Sequence, residues 1–103
     1  MRELKIMTDK NPAAKFVKET SEGVTITLQK GYLPAGVDTR VTEIEMREPM
    51  VKDQMIARKQ ASDDAEMETV LLCALTGLQP SELESLSARD YARVQAGYNF
   101  FMD

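Results

Sequence analysis

The side chains with most chemical potential in this sequence are carboxylates. Asp63, Asp64, Glu66 and Glu68 form the densest cluster, and Glu82, Glu84 and Asp90 follow further on. A cluster of this kind suggests a hard cation, and paired carboxylates suggest glycosidic hydrolysis. The pattern supports neither. A calcium loop alternates Asp and Asn ligands around a glycine, and this run does not. Nothing in the spacing places two carboxylates in a common pocket. Each group does precede an apolar, helix-periodic stretch. Carboxylates there cap orphan N–H groups and sit at the positive end of the helix dipole. Helix starts explain the carboxylates without a ligand.

Composition also excludes chemistry that depends on histidine or on paired cysteines. The chain has 103 residues, no histidine and one cysteine, Cys73. A histidine base, a Ser-His-Asp or Cys-His nucleophile and a His-ligated zinc are therefore absent. Cys73 lies in the apolar run Val70-Leu71-Leu72-Cys73-Ala74-Leu75 and reads as a small core residue. A lone thiol forms no internal disulfide and suits a reducing compartment. The reading assigns no catalytic, cofactor-binding or metal-binding residue. Thirteen Lys and Arg against seventeen Asp and Glu give a net charge of −4. That balance disfavours nonspecific binding to nucleic acid or anionic membrane. No apolar run approaches the roughly 18 residues of a membrane span. The charged first twenty residues leave no signal-peptide core. Met1 and Met7 both qualify as a chain start.

The elements that position these groups follow from periodicity. Residues 1–22 are polar, are broken by Asn11-Pro12 and read as a flexible N-terminal arm. Weak strand or helix signals lie around Lys15 to Thr20. Val24, Ile26 and Leu28 alternate with Thr25, Thr27 and Gln29, which predicts a half-buried strand. Gly31, Pro34 and Gly36 mark a loop. Ile44 and Met46 then alternate with Glu43 and Glu45 in a second strand, making a hairpin over 23–47. A two-stranded hairpin is marginal alone, so it must pack on helices, a third strand or another chain.

Four helices are expected after the hairpin, over about 50–60, 64–76, 80–86 and 88–102. Pro49 opens the first, with Val51, Met55 and Ile56 on one side and Lys52, Arg58 and Lys59 mostly outside. The second carries the stripe Met67, Val70, Leu71, Ala74, Leu75 and Leu78, ends at Gly77, and is the expected centre of the fold. Pro80 opens the third. Ser87 and Asp90 have the spacing of a capping box for the fourth. Gly97 weakens that helix by about 1 kcal/mol relative to alanine, so its end frays unless something packs there. The fold class is thus α+β: an N-terminal antiparallel hairpin, then a small C-terminal bundle of three to four helices in one domain, 23–103. Residues 1–50 balance eight bases against eight acids, so the whole −4 falls in the helical half.

Adaptable apolar residues make a binding role the better class. There are seven methionines, and Tyr98-Asn99-Phe100-Phe101-Met102 puts three aromatics near the chain's edge. One helix face cannot hold them all, because Phe100 points away from Tyr98 and Phe101. Thioethers fill core gaps and also make pliable contact surfaces. Met55, Tyr91, Val94, Tyr98 and Phe101 are the candidate partner-binding residues, being apolar, helical and near the open end. A helix-turn-helix reading of 70–95 is a weaker alternative. Its last helix offers only Arg89, Arg93, Gln95 and Asn99 to DNA.

The order of motifs resembles a known family. Arg47-Glu48-Pro49 with Asp53 closes the hairpin. Ser62-Asp63-Asp64, Leu71-Leu72-Cys73-Ala74-Leu75-Thr76-Gly77-Leu78, Pro80-Ser81-Glu82-Leu83 and Asp90-Tyr91 follow in order. This set resembles the small tail assembly chaperones of contractile-tailed (myophage-type) bacteriophages, over about residues 23–102. The longer loop from Lys30 to Asp38 and the residues before Gly23 depart from that pattern. The resemblance implies a non-enzymatic protein of the host bacterial cytoplasm, without cofactors, that is left out of the mature virion. Its implied partner is the phage tape measure protein, kept soluble while the tail tube polymerises around it. The tail tube protein, a longer form of the same chain made by a −1 ribosomal frameshift, and a homo-oligomer are further candidates. Neither nucleic acid nor membrane is an expected partner. Asn99-Phe100-Phe101 is compatible with a U-rich slippery codon run. A minor phage structural or adaptor protein is the other alternative.

Overall fold

A computed structural model describes residues 12–102. A 3-10 turn at Pro12–Phe16 leads into strand β1 (Val17–Glu19), followed by β2 (Gly23–Tyr32) and β3 (Val41–Arg47). The strands form an antiparallel meander in the order β1-β2-β3. Helices α1 (Val51–Gln60), α2 (Asp64–Thr76), α3 (Pro80–Glu84) and α4 (Ala88–Met102) complete the α+β fold. The expected hairpin is therefore the larger part of a three-stranded sheet. β1 falls within the stretch read as an arm, pairing Val17 with Ile26 and Glu19 with Val24. Residues 1–11 of that stretch lie outside the described residues.

The alternation in β2 and β3 sets the register. Val24 pairs with Met46 and Ile26 with Ile44, so four apolar side chains share one buried face. A strand period of two makes any other register expose them. Helix α4 lies across this face, and Gly97 lets it come close. A Cβ at Gly97 would stand 2.5 Å from Ile26 Cδ1 and 3.0 Å from its Cγ1. The glycine that weakens the helix in isolation is what seats it on the sheet.

Helix α2 is capped as expected. The Asp63 carboxylate accepts from the Glu66 N–H at 2.8 Å, and the Gly77 N–H bonds to Cys73 O at 2.8 Å. Leu71, Leu72, Leu75 and the following Leu78 are buried, whereas Ala74 is exposed. The buried stripe is thus rotated from the one read from spacing. Helix α1 is rotated further. Asp53 and Ala57 are its buried residues, while Val51, Met55 and Ile56 face solvent.

The reason lies at the end of β3. Arg47 grips the Asp53 carboxylate with both Nη atoms, at 2.8 and 2.9 Å. The same carboxylate accepts the Met50 N–H at 2.8 Å, capping the helix start. Arg47 Nη2 also reaches Ala74 O at 3.4 Å, tying the corner to α2. A bidentate pair fixes orientation as well as distance. Asp53 must face inward, and the apolar side of α1 is turned outward. The guanidinium and the Met50 N–H hold the Asp53 carboxyl well below the usual carboxylate range.

Candidate functional site

The pliable surface is held by a polar latch at the N-terminus of α4. Between Thr27 and Tyr32 the register of β2 against β3 shifts, leaving a bulge. Gly31 in this bulge has φ +77°, and a Cβ there would meet Val41 O at 2.1 Å. The bulge turns three successive N–H groups, of Gln29, Lys30 and Gly31, onto the Asp90 carboxylate at 2.7, 2.9 and 2.9 Å. Arg40 donates to the carbonyls of Lys30 and Gly31 at 3.0 and 3.1 Å. Arg93 donates to Thr27 O at 3.0 Å, and its guanidinium lies 3.3 Å from the centre of the Phe16 ring. Arg89 donates to the Gln29 side chain at 2.9 Å.

Asp90 is 0% exposed. Burial alone would push its carboxyl up. The three N–H bonds and the Arg93 charge outweigh burial and hold it below its ordinary value. Ser87 Oγ accepts the Asp90 N–H at 3.1 Å, so the serine half of the capping box forms. The aspartate half does not, because the carboxylate serves β2 instead.

Glu68 also departs from a capping role. It accepts from Tyr91 Oη, and from Gln95 Nε2 at 2.8 Å. That joins α2 to α4. Glu66 and Glu82 do cap: Glu66 accepts from Ser62, and Glu82 Oε1 from the Gln79 N–H at 2.9 Å. Among the described residues, no group of three or more His, Cys, Asp or Glu is placed to hold a metal ion. The Cys73 thiol is pushed up by burial and by the charges of Glu82 and Glu84. It is therefore protonated near neutral pH and a poor nucleophile. With Arg93 spent on the sheet and Gln95 on Glu68, the last helix has little left with which to read DNA.

The five residues singled out for partner contact are not all on one surface. Val94 is 0% exposed and sits in the core, since position 94 of α4 is turned onto the sheet. A side chain enclosed by its own chain offers nothing to a partner. Tyr91, Tyr98 and Phe101 are half-buried against the core. Tyr98 Oη accepts from Gln54 Nε2 at 3.1 Å, which ties α4 to α1 beside Met55. Met55 is 56% exposed. Tyr98 also lines a groove of about 420 Å³ between α2 and α4, with Asp64, Met67, Glu68, Leu71, Leu72, Gln95 and Asn99.

The five candidates leave out part of the open apolar surface. Met50, Val51 and Ile56 accompany Met55 outside α1, and Phe100 and Met102 end α4 exposed. The signal that would have found the α1 face is Asp53. Once paired with Arg47, it fixes which side of the helix turns inward.

These features define a small α+β scaffold that exposes large apolar side chains on two of its helices. The pattern of one known family, phage tail assembly chaperone proteins, E, or 41 or 14, matches residues 25–103, and the chain belongs to that family. No curated protein and no solved structure matches it. Among the described residues, no helix is long and apolar enough to cross a membrane.

Proposed function

We propose that the protein binds the phage tape measure protein in the host cytoplasm, keeps it soluble and guides tail tube polymerisation around it. It does so by contact alone, without catalysis, and leaves before the virion is complete. The observation that carries this reading is the family match over residues 25–103. The exposed Met55 of α1 and Phe100 and Met102 of α4 support it, because such side chains bind irregular apolar partners at low cost in fit. Met55, Tyr98 and Phe101 are the proposed contact residues of the original five, with Tyr91 behind them in the Glu68 network. The tail is of the contractile type. The tail tube protein and a second copy of this chain are secondary partners.

A longer frameshifted form belongs to the same reading. Its motive is the family and the Asn99-Phe100-Phe101 ending. A gene with no slippery heptamer there, or no overlapping −1 frame, rules it out.

The test of the main reading is co-expression of the tagged chain with the tape measure protein of the same phage. The two proteins copurify, and purified virions contain no trace of this chain by mass spectrometry. Failure to copurify contradicts the reading. Finding the chain in virions at stoichiometric level makes it a structural component instead.

A further inference from the structure

Helix α1 has the reverse of an ordinary surface helix's polarity. Its buried side holds Asp53 and Ala57, and its solvent side holds Val51, 72% exposed, and Met55. At 3.6 residues per turn these two form one i, i+4 row. Arg58 flanks the row on one side, and Lys59 and Lys52 flank it on the other, with Ile56 beyond them. All three cations are exposed. The only carboxylate of α1 is Asp53, which is buried and paired with Arg47. The outer face is therefore apolar along its middle, positive on both margins and without a carboxylate of its own. It stands on a chain whose net charge is −4.

We infer that this face docks an amphipathic helix whose apolar stripe is flanked by carboxylates, and that this helix belongs to the tape measure protein, an inference that rests on the function proposed above. Charge selects the occupant. Two α1 faces meeting across a two-fold axis would set three cations against three, and like charges at an interface are strongly repelled. Residues 1–11 of the chain itself carry three bases and two acids, so they lack the net negative charge that this face selects. An acidic helix is attracted here and repelled by the acidic starts of α2 and α3. The same contrast that gives affinity thus gives position. A ridge of ten residues, about 15 Å long, is the shape into which another helix's side chains interdigitate. The unbranched Met55 adapts to whichever apolar residue it meets.

The test titrates the full chain against fluorescent peptides tiling the tape measure protein of the same phage, read by anisotropy. Two variants are compared with wild type: Lys52→Glu/Arg58→Glu/Lys59→Glu, and Val51→Ser/Met55→Ser. Every substituted side chain is exposed, and circular dichroism at the assay temperature establishes that each variant is folded before its binding is read. At least one acidic, helix-periodic peptide binds wild type. The charge reversal weakens it by about a hundredfold. The serine pair weakens it by about tenfold. Raising salt from about 0.05 M to 0.5 M weakens wild-type binding, because the margins are solvent-exposed.

Peptides that bind wild type and both variants equally dock elsewhere. That overturns this inference and leaves the tape measure reading intact. Binding confined to basic peptides overturns it in the same way. An absence of binding by every peptide and by the intact tape measure protein defeats the underlying function first. A wild-type dimer that the charge reversal dissociates, seen by sedimentation, makes the face a self-interface and overturns the choice of partner.

Discussion

Asp90 joins two parts of the fold that are far apart in the chain. Its carboxylate ties the start of α4 to a bulge about sixty residues earlier and collects three backbone N–H groups that the sheet leaves over. An asparagine there keeps the shape but turns an NH2 group toward those donors. Asp90→Asn is expected to cost about 3 kcal/mol at pH 7, read from the urea midpoint, because buried donors lose charged acceptors. The acid dependence has a definite sign. A folded pKa held below the unfolded value of about 3.9 gives stability that is complete above that value and drains away as pH falls below it. Wild type therefore loses stability below about pH 4 more steeply than the asparagine variant. The variant keeps some slope, because Asp53 is depressed in the same direction. Identical acid profiles for the two proteins would show that Asp90 is not held this way. This residue was half-legible in the sequence. The Ser87-x-x-Asp90 spacing correctly marks the helix start, but a spacing of three says nothing about an acceptor site on another strand. Glu68 was misread for the same reason, since its partners Tyr91 and Gln95 lie on α4.

At the scale of elements, periodicity was sufficient for type wherever the pattern was strong, although β2 runs on to Tyr32 through Lys30 and Gly31, which were expected in the loop. Val24-Ile26-Leu28 and Ile44-Met46 set β2 and β3, and α2 and α4 begin and end where caps and stripes place them. β1 was weak because Val17-Lys18-Glu19 has one apolar residue, and its pairing is supplied by β2. The facing of α1 was inverted because an ion pair outranks hydrophobic spacing when it is bidentate and also caps the helix. Gly97 is the element-level counterpart of Asp90. Helix propensity alone predicts that Gly97→Ala stabilises the protein by about 1 kcal/mol. Packing predicts the opposite, since the new methyl group falls on Ile26, which is itself fully buried. The expected outcome is destabilisation by about 1–3 kcal/mol, from overpacking. A raised melting temperature would mean that α4 does not rest on Ile26.

At the scale of the whole molecule, polar and apolar work are divided. Asp90 and Arg93 lock the bulged strand to α4, Arg40 braces the bulge from the loop before β3, and Arg47 with Asp53 locks the sheet to α1. Those locks leave α1 and the end of α4 with apolar side chains that the core does not need. Four of the chain's methionines illustrate the division: Met46 is buried in the core, while Met50, Met55 and Met102 are among its exposed large apolar residues. The sequence disclosed that a pliable surface existed. It could not disclose which helix carries most of it, because that depends on the distant tie of Asp53 to Arg47. The net charge also has a structural meaning. Acidic side chains cap and bridge helices, and three exposed cations are left on α1. The central claim is that this surface serves to keep a long apolar partner soluble. Its most direct measurement is light scattering of the tape measure protein diluted from denaturant, with and without an equimolar amount of this chain. The account predicts scattering that is suppressed by the wild-type protein and restored by Lys52→Glu/Arg58→Glu/Lys59→Glu. Scattering that rises equally with and without the wild-type chain would contradict it.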